Sequence, residues 1–335
     1  MNTMKRCFVW AAALLLALPA LPSLQNQELI PNKMETAFPD PVFRTYVLRN
    51  FDIDGDGRIS PAEAEAVTVI YVNNNWDTPN NKQIRSLEGV QHFPHLTYLE
   101  CNYNQLAMLD VSHNPKLEEL YCHSNQLTAL DVSHNPKLKK LDCGGNRLTT
   151  LDVSHNTELK KLDCNDSYEL IALDVSHNPK LTELHCSDNK LTALNVSGCT
   201  ALTDLDCYNN KLTTLNMSGC TALTKLSCYN NLLRILDVSG YTVLTELDCS
   251  NNKLTALNVS GCMALTDLRC YDNLLRVLDV SGCPKLDFLN CSSNPLGTLR
   301  LKTGQSIKSI TDNDDCSSVE WIEFIPYNTE LEYVD

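Results

Sequence analysis

Residues 117–132 read Leu-Glu-Glu-Leu-Tyr-Cys-His-Ser-Asn-Gln-Leu-Thr-Ala-Leu-Asp-Val, and this spacing decides the fold. The pattern L-x-x-L-x-C-x-x-N-x-L-x-x-L-x-V recurs with small changes along most of the chain. Its cysteines follow one another at 21 residues, apart from a step of 22 between the fourth and the fifth: Cys101, Cys122, Cys143, Cys164, Cys186, Cys207, Cys228, Cys249, Cys270 and Cys291. A repeat of this length predicts a solenoid of ten coils, which we call rungs and number by these cysteines.

The spacing within one rung predicts a short strand followed by a tight turn. Leu120 and Cys122 stand two residues apart, so both side chains point to the same side of a strand. One rung cannot cover this apolar side alone, whereas stacked rungs form a parallel sheet over a continuous core. The second half of each repeat also alternates, which predicts a second short strand or extended turn on the convex side.

The asparagine three residues after each cysteine is predicted to be structural. Its amide can bond backbone groups of the turn that the strand hydrogen bonds do not reach. The residues are Asn104, Asn125, Asn146, Asn189, Asn210, Asn231, Asn252, Asn273 and Asn294. The fourth rung departs from the pattern, because Ser167 replaces the asparagine and one residue is added. We expect a bulged loop there.

The N-terminal residues predict a secretory signal peptide over residues 1–23. Two basic residues precede an apolar run that is too short to cross a membrane as a helix, and an uncleaved anchor is the alternative. The rest divides into an N-terminal cap (24–83), the solenoid (84–301) and a C-terminal cap (302–335). The formal net charge of −14 argues against nucleic acid and anionic membranes as partners, because both bind through clusters of Lys and Arg.

The sixteen cysteines would ordinarily indicate disulfides in a secreted protein. Their regular position, once per rung in place of a core leucine, favours a column of reduced and buried thiols. Disulfides and metal thiolates are the alternatives, but parallel side chains keep their Cβ atoms apart and zinc needs four converging ligands. A second column lies on adjacent turns, where exposure of the thiols is an open question: Cys199, Cys220, Cys262 and Cys283.

Residues 52–63 read Asp-Ile-Asp-Gly-Asp-Gly-Arg-Ile-Ser-Pro-Ala-Glu and match the twelve-residue calcium loop of an EF-hand. Gly57 occupies the sixth position, where such a loop turns sharply. The predicted ligands are Asp52, Asp54, Asp56, the Arg58 carbonyl, Ser60 directly or through a water, and Glu63. The alternative is an acidic turn without an ion. We expect a structural Ca²⁺ that stiffens the N-terminal cap.

With these motifs, residues 84–301 resemble the cysteine-ladder leucine-rich repeats of bacterial surface and secreted proteins, notably the internalins. The calcium loop followed by Ile-Arg-Ser-Leu-Glu-Gly-Val at 84–90 resembles secreted Bacteroides-type proteins with an EF-hand-like or dockerin-like loop. The resemblance implies an α+β, mostly β solenoid: a right-handed coil with a parallel sheet on its concave face and a small helical EF-hand-like N-terminal cap. It also implies adhesion, through binding to host or neighbouring-cell molecules.

Tyrosines at variable positions of the predicted sheet are the candidate partner-binding residues. Side chains that flank the central leucine and the cysteine point away from the core. An exposed tyrosine there offers contact area and a hydrogen bond to a protein or a sugar. The candidates are Tyr98, Tyr103, Tyr121, Tyr208, Tyr229 and Tyr271. The alternative is a surface that follows from repetition alone and binds nothing.

The sequence therefore predicts a noncatalytic binding protein that is secreted, periplasmic or held at the cell surface. We expect a monomer that binds an extracellular protein or glycan. A structural component of a cell-surface layer is the second interpretation. A glycan-processing enzyme has the weakest support, because the carboxylates repeat in register instead of converging as a pair.

Overall fold

The computed structural model describes residues 37–305, 307, 309–310 and 330–334. The predicted signal peptide lies outside these residues, together with the start of the predicted N-terminal cap and most of the predicted C-terminal cap. No helix among the described residues is long and apolar enough to cross a membrane. The helices are α1 (Pro41–Phe51) and α2 (Pro61–Ala66), followed by two short 3-10 turns, Asn80–Lys82 and Val90–His92.

The centre of the molecule is a parallel sheet of twelve strands. Leucines in the middle of neighbouring strands pair directly, as Leu120 does with Leu99 and Leu141. This constant register confirms the predicted solenoid with its parallel sheet. In spatial order the strands are β1 (Val69–Tyr71), β2 (Tyr98–Glu100), β3 (Glu119–Tyr121), β4 (Lys140–Asp142), β5 (Lys161–Asp163), β7 (Glu183–His185), β9 (Asp204–Asp206), β10 (Lys225–Ser227), β12 (Glu246–Asp248), β14 (Asp267–Arg269), β16 (Phe288–Asn290) and β18 (Ser309–Ile310).

Two of these strands lie beyond the rungs that the cysteines mark. β1 pairs with β2 through Ile70 and Leu99, and β18 pairs with β16 at the other end. The sheet therefore begins within the segment predicted as the N-terminal cap, ahead of residue 84. Val72 occupies the position that a cysteine holds in the later rungs, so an alignment on cysteines does not detect β1.

The other side of the solenoid carries small parallel sheets from the second halves of the repeats. A local turn follows each half repeat, as where Asp131 Oδ1 accepts the Ser133 N–H at 2.9 Å. The predicted second strand is present in six rungs, and a seventh strand comes from the C-terminal segment. These strands are β6 (Ala172–Asp174), β8 (Ala193–Asn195), β11 (Ile235–Asp237), β13 (Ala256–Asn258), β15 (Val277–Asp279), β17 (Thr298–Lys302) and β19 (Glu330–Val334).

Leucines and cysteines form a continuous core along the solenoid. Leu120 and Cys122 are fully buried, and their equivalents in the other rungs are buried too. Each buried leucine contributes about 1.5–3 kcal/mol relative to an exposed one. All fourteen cysteines of the described residues are free and buried, as the predicted column of reduced thiols requires. Burial raises the pKa of these thiols, that of Cys291 to about 11, so they are protonated at neutral pH.

The second cysteine column is also inaccessible to solvent, which answers the question of its exposure. Cys199 Sγ donates to the Val175 carbonyl at 3.2 Å. In the earlier rungs an asparagine occupies this place, and Asn135 Nδ2 donates to the Val111 carbonyl at 2.9 Å. The second column therefore continues an internal asparagine column with a side chain that needs only one acceptor.

The asparagines that follow the cysteines by three residues form a column of their own, and each of them links two rungs. Asn125 Nδ2 donates to the carbonyls of Cys101 and Cys122, both at 3.0 Å. Its Oδ1 accepts the Leu106 N–H at 3.0 Å. These bonds confirm the predicted structural role. They satisfy buried backbone groups, each of which would cost about 1–3 kcal/mol without a partner.

The fourth rung interrupts this asparagine column, as the sequence predicts. Asp166 has a left-handed backbone, with φ of +55°, as its equivalents in the other rungs do, but Tyr168 adds a second left-handed residue, with φ of +56°, which makes this turn irregular. Ser167 is buried, but its hydroxyl has no hydrogen-bond partner within the described part of the chain. The same holds for Oδ1 of Asn189 in the next rung. Serine is too short to replace the asparagine amide, so this junction loses cross-rung hydrogen bonds.

Aromatic side chains close the N-terminal end of the core. Phe38, Phe43 and Phe93 are buried, and the Phe38 ring centroid lies 5.8 Å from that of Phe43 and 5.9 Å from that of Phe93. Asp40 caps α1 by accepting the Phe43 N–H at 3.0 Å, and it also accepts the Arg85 N–H at 2.8 Å. One carboxylate therefore joins the helix to the start of the solenoid.

Candidate functional site

The outward side of the twelve-stranded sheet, here called the sheet face, carries two side chains, mostly polar, from each three-residue strand. They flank the buried central leucine, as Glu119 and Tyr121 flank Leu120. In the first of these two columns, opposite charges pair between rungs with N···O distances between 2.6 and 3.1 Å: Lys140–Glu119, Lys161–Glu183 and Lys225–Glu246. Arg269 of the second column pairs with Asp267 of the same strand at 3.2 Å. Exposed pairs contribute only about 0–1 kcal/mol each, so folding depends little on them.

Three tyrosines lie side by side at the N-terminal end of the sheet face. The ring centroid of Tyr98 lies 4.9 Å from that of Tyr71 and 5.5 Å from that of Tyr121. The Tyr121 hydroxyl donates to Glu119 at 2.8 Å. The sequence predicts Tyr98 and Tyr121 but misses Tyr71, although its side chain is 55% exposed. The sequence feature that indicates Tyr71 is the short strand-like alternation at residues 69–71, where the usual cysteine is absent.

Tyr208 and Tyr229 form a second aromatic cluster, on rungs six and seven. Their rings are stacked, with centroids 4.5 Å apart and planes inclined by 6°. Burial raises the pKa of Tyr229 to about 12, so its hydroxyl remains a donor at neutral pH. Tyr271 occupies the same position of the repeat on rung nine and is partly buried. All three follow their cysteine directly, so they form one column beside the sheet face.

Tyr103 does not belong to this column. It lies two residues after Cys101, within the turn, and has a left-handed backbone with φ of +56°. Its ring contacts that of His123 on the next rung, with centroids 5.5 Å apart. The structure therefore separates Tyr103 from the other predicted tyrosines that follow a cysteine.

An open cavity of about 450 Å³ lies beside the stacked pair. Its walls combine Tyr208 and Tyr229 with the carboxylates of Asp204, Asp206 and Asp248. Burial raises the pKa of both Asp206 and Asp248. Lys225 and Arg269 also line the cavity, but the acids outnumber them. The surface therefore joins apolar ring area to net negative charge, which suits a partner that presents both apolar and basic groups.

The predicted calcium loop connects α1 to α2, and three of its carboxylates converge. Oxygens of Asp52, Asp54 and Glu63 lie within 4.8 Å of one another. Asp52 Oδ2 also accepts the Gly57 N–H at 2.9 Å. Gly57 has φ of +80°, a conformation that favours glycine. These residues fit Ca²⁺, because the converging donors are anionic oxygens held on a turn that glycine permits.

The other predicted ligands of the loop make local hydrogen bonds. Asp56 Oδ1 accepts the Arg58 N–H at 2.8 Å and lies outside the three-carboxylate cluster. Ser60 Oγ accepts the Glu63 N–H at 3.3 Å, and Glu63 Oε2 accepts the Ser60 N–H at 2.8 Å. The Ser60 and Ile53 N–H groups lower the pKa of Glu63. The structure therefore gathers three of the six predicted ligands and places the other three along the same turn.

Known proteins share the repeats and the fold of this chain. A family model described as leucine-rich repeats (two copies) matches residues 115–177 and 179–220. No curated protein sequence matches the chain. Among solved structures, InlJ from Listeria monocytogenes, whose functional domain includes a cysteine ladder, is 32% identical with a TM-score of 0.65. That match covers 90% of this chain and 72% of the other.

Two further structures are more distant. A leucine-rich-repeat protein from Leptospira interrogans is 26% identical with a TM-score of 0.57, and the match covers 62% of this chain and 57% of that one. The internalin InlF from Listeria monocytogenes is 19% identical with a TM-score of 0.58, over 92% of this chain and 98% of that one.

The stacked rungs and their parallel sheet define a leucine-rich-repeat solenoid. More narrowly, the chain belongs to the bacterial internalin-like leucine-rich-repeat proteins with a cysteine ladder, the family of InlJ.

Proposed function

We propose that the protein is a noncatalytic binding protein whose sheet face holds a protein partner. The observation that carries this proposal is the stacked pair Tyr208 and Tyr229, 4.5 Å apart, beside carboxylates in an open cavity. Tyrosine suits such a surface because its ring supplies apolar contact and its hydroxyl a hydrogen bond. The carboxylates favour a partner with basic groups. A glycan is the alternative ligand of this surface, since sugars also pack on tyrosine rings.

The architecture supports binding more than catalysis. Stacked repeats form an extended surface, on which contacts with a partner are spread over many rungs. The charged side chains of the sheet face pair across rungs, as Lys140 does with Glu119 at 3.1 Å. Such pairs supply complementarity and orientation to a partner. We therefore assign no chemical step to the sheet face.

The proposed setting is outside the cell. The predicted signal peptide and the internalin-like repeats support a secreted, surface-held or periplasmic monomer that takes part in adhesion to host or neighbouring cells. In that setting we propose that Ca²⁺ binds residues 52–63 and is structural. Extracellular sites of this type bind at about 0.1–1 mM, and the loop joins α1, which closes the core, to α2.

The test of the binding face compares the wild type with a Tyr208→Ala/Tyr229→Ala variant. Beads carrying each chain are exposed to extracellular proteins, and a glycan array is probed in parallel. We expect the variant to lose a protein ligand of the wild type by about tenfold or more. Tyr168→Ala is the control, because Tyr168 is 59% exposed but lies in the irregular turn of rung four. Equal capture by all three proteins would exclude the stacked pair as a binding surface.

A further inference from the structure

Rungs five and six place three metal-binding side chains together on the sheet face. His185 ends β7, Asp204 and Asp206 lie in β9, and His185 pairs in register with Asp206. A ring nitrogen of His185 and one carboxylate oxygen of each aspartate lie within 4.8 Å of one another. All three side chains are partly buried. Metal–ligand bonds of zinc are about 2.0–2.2 Å long, so ligand atoms this close together are near enough to share one ion.

The two aspartates interrupt the ion pairs of the sheet face. The lysines of the neighbouring rungs are held by other acids, Lys161 by Glu183 at 2.6 Å and Lys225 by Glu246 at 3.0 Å. Within the described ranges, no lysine or arginine nitrogen lies within 4.0 Å of a carboxylate oxygen of Asp204 or Asp206. Direct salt bridges with lysine or arginine, which flanking rungs have, are therefore absent at Asp204 and Asp206 in the described part of the chain.

The carboxylates of Asp204 and Asp206 are close together and partly buried. One oxygen of each lies within 4.8 Å of the other, and neither side chain is fully exposed to water. Like charges at this distance repel each other more strongly where water is partly excluded. A divalent cation bound between these carboxylates removes that repulsion.

A further carboxylate lies beside the imidazole ring of His185. Asp163 Oδ2, on the preceding rung, lies 3.7 Å from His185 Nδ1. A carboxylate beside one ring nitrogen orients an imidazole and leaves the other nitrogen for a metal, an arrangement common around metal-binding histidines. His123 offers a contrast on the same face: it lies 3.5 Å from Asp142, but no cluster of three ligands includes it among the described residues.

We propose that His185, Asp204 and Asp206 form a binding site for a divalent transition-metal ion of the zinc type. The imidazole nitrogen favours Zn²⁺ or its analogue Co²⁺ over Ca²⁺, which takes oxygen ligands. This chemistry distinguishes the site from residues 52–63. Three protein ligands leave a position of a tetrahedral ion for water or for a donor group of a bound molecule. This metal-site proposal does not depend on whether the sheet face binds a protein.

The test measures the metal stoichiometry of the purified full chain without a histidine tag. The protein is stripped with EDTA, supplied with excess CaCl₂ to occupy residues 52–63, and titrated with ZnCl₂ and CoCl₂ by calorimetry and absorption spectroscopy. We expect a single zinc ion per chain, and visible d–d bands when Co²⁺ replaces it. His185→Ala and Asp206→Asn should abolish both signals.

Matched variants separate the site from other metal binding. His123→Ala and Asp52→Ala should bind zinc as the wild type does. Asp163→Asn should keep the stoichiometry and weaken binding by roughly 10–100-fold, because it removes only the group that orients His185. Circular dichroism melting verifies that each variant is folded. The absence of zinc binding by the wild type at micromolar concentrations, or unchanged binding by folded His185→Ala, would overturn the proposal.

Discussion

Tyr208 and Tyr229 stack face to face, with their ring centroids 4.5 Å apart. They come from successive rungs whose strands pair in register through Leu205 and Leu226. Neighbouring strands lie about 4.7–4.9 Å apart, which is close to the distance at which aromatic rings stack. Tyrosines at one position of successive repeats can therefore stack without any other contact to align them, and they form a rigid apolar surface.

We expect the two rings to stabilise each other by about 0.5–1.5 kcal/mol. The measurement is a double-mutant cycle of Tyr208→Ala, Tyr229→Ala and the double variant, with the free energy of unfolding obtained from urea titrations. Additive effects of the two substitutions would show that the rings are not coupled. Tyr208→Ala combined with Tyr168→Ala should be additive, because those side chains lie on separate rungs, six and four.

Calcium is expected to raise the melting temperature of the wild type by several degrees relative to EDTA. Binding at 100 times Kd contributes about 2.7 kcal/mol, and a domain of this size shifts by about 2–4 °C per kcal/mol. Asp52→Ala should melt alike in both conditions. Asp77→Ala, which changes an exposed aspartate outside the loop, should keep the full response. A calcium response that survives Asp52→Ala would place the ion elsewhere.

Gly89→Ala is expected to destabilise the N-terminal cap by about 3 kcal/mol or more. Gly89 has φ of +109°, and a Cβ there would clash with Phe38 Cδ1 and lie 2.5 Å from the Ala37 carbonyl oxygen. Gly240→Ala is the matched control, because Gly240 has φ of +76° but no atom within 4 Å of such a Cβ. We expect Gly240→Ala to cost about 1–2 kcal/mol. Equal losses in thermal melts would disprove the clash.

Cys122 of the first cysteine column and Cys199 of the second should respond differently to serine. Cys122 is fully buried and its Sγ has no hydrogen-bond acceptor among the described residues, so Cys122→Ser should cost about 1–3 kcal/mol. Cys199 Sγ already donates to the Val175 carbonyl at 3.2 Å. A serine hydroxyl can keep that bond, and Cys199→Ser should cost less than about 1 kcal/mol. Urea unfolding measures both, and a larger loss for Cys199→Ser would contradict this account.

The same burial predicts unreactive thiols. The fourteen cysteines of the described residues are buried, and their raised pKa keeps them protonated. We expect them to resist Ellman's reagent in the native protein and to react once guanidinium unfolds it. Rapid reaction of Ellman's reagent with several thiols of the second column in the folded protein would show that this column opens in solution.

His123 should make stability depend on pH. The Asp142 carboxylate, with Oδ1 3.5 Å from His123 Nδ1, raises the pKa of that histidine. The stabilisation is therefore complete below the unfolded pKa of about 6.5 and disappears as pH rises through the folded pKa. We expect His123→Gln to lose up to about 1 kcal/mol at acidic pH and little at alkaline pH. Asp142→Asn should remove the same dependence. Urea titrations that give one constant loss at both pH values would contradict the pairing.

Much of the fold follows from the repeat. The positions of Leu120, Cys122 and Asn125 in one rung indicate which side chains are buried and which amide bonds the turn, and the same positions recur in the other rungs. The calcium loop is also visible as a local pattern over residues 52–63. The inferences from the repeat succeed because parallel rungs repeat the same backbone hydrogen bonds, so that each position of the repeat meets the same surroundings, whereas Ca²⁺ binding by residues 52–63 stays a prediction.

The tertiary structure decided what depends on contacts between different rungs. It showed that β1 extends the sheet and brings Tyr71 beside Tyr98, that Cys199 is buried, and that Tyr103 lies apart from Tyr208. It also showed that neighbouring lysines pair with other acids and leave Asp204 and Asp206 beside His185. A repeat determines where each backbone position lies. The partner of a charged or aromatic side chain is set by competition among its neighbours on adjacent rungs, and the pattern of a single rung does not contain that information.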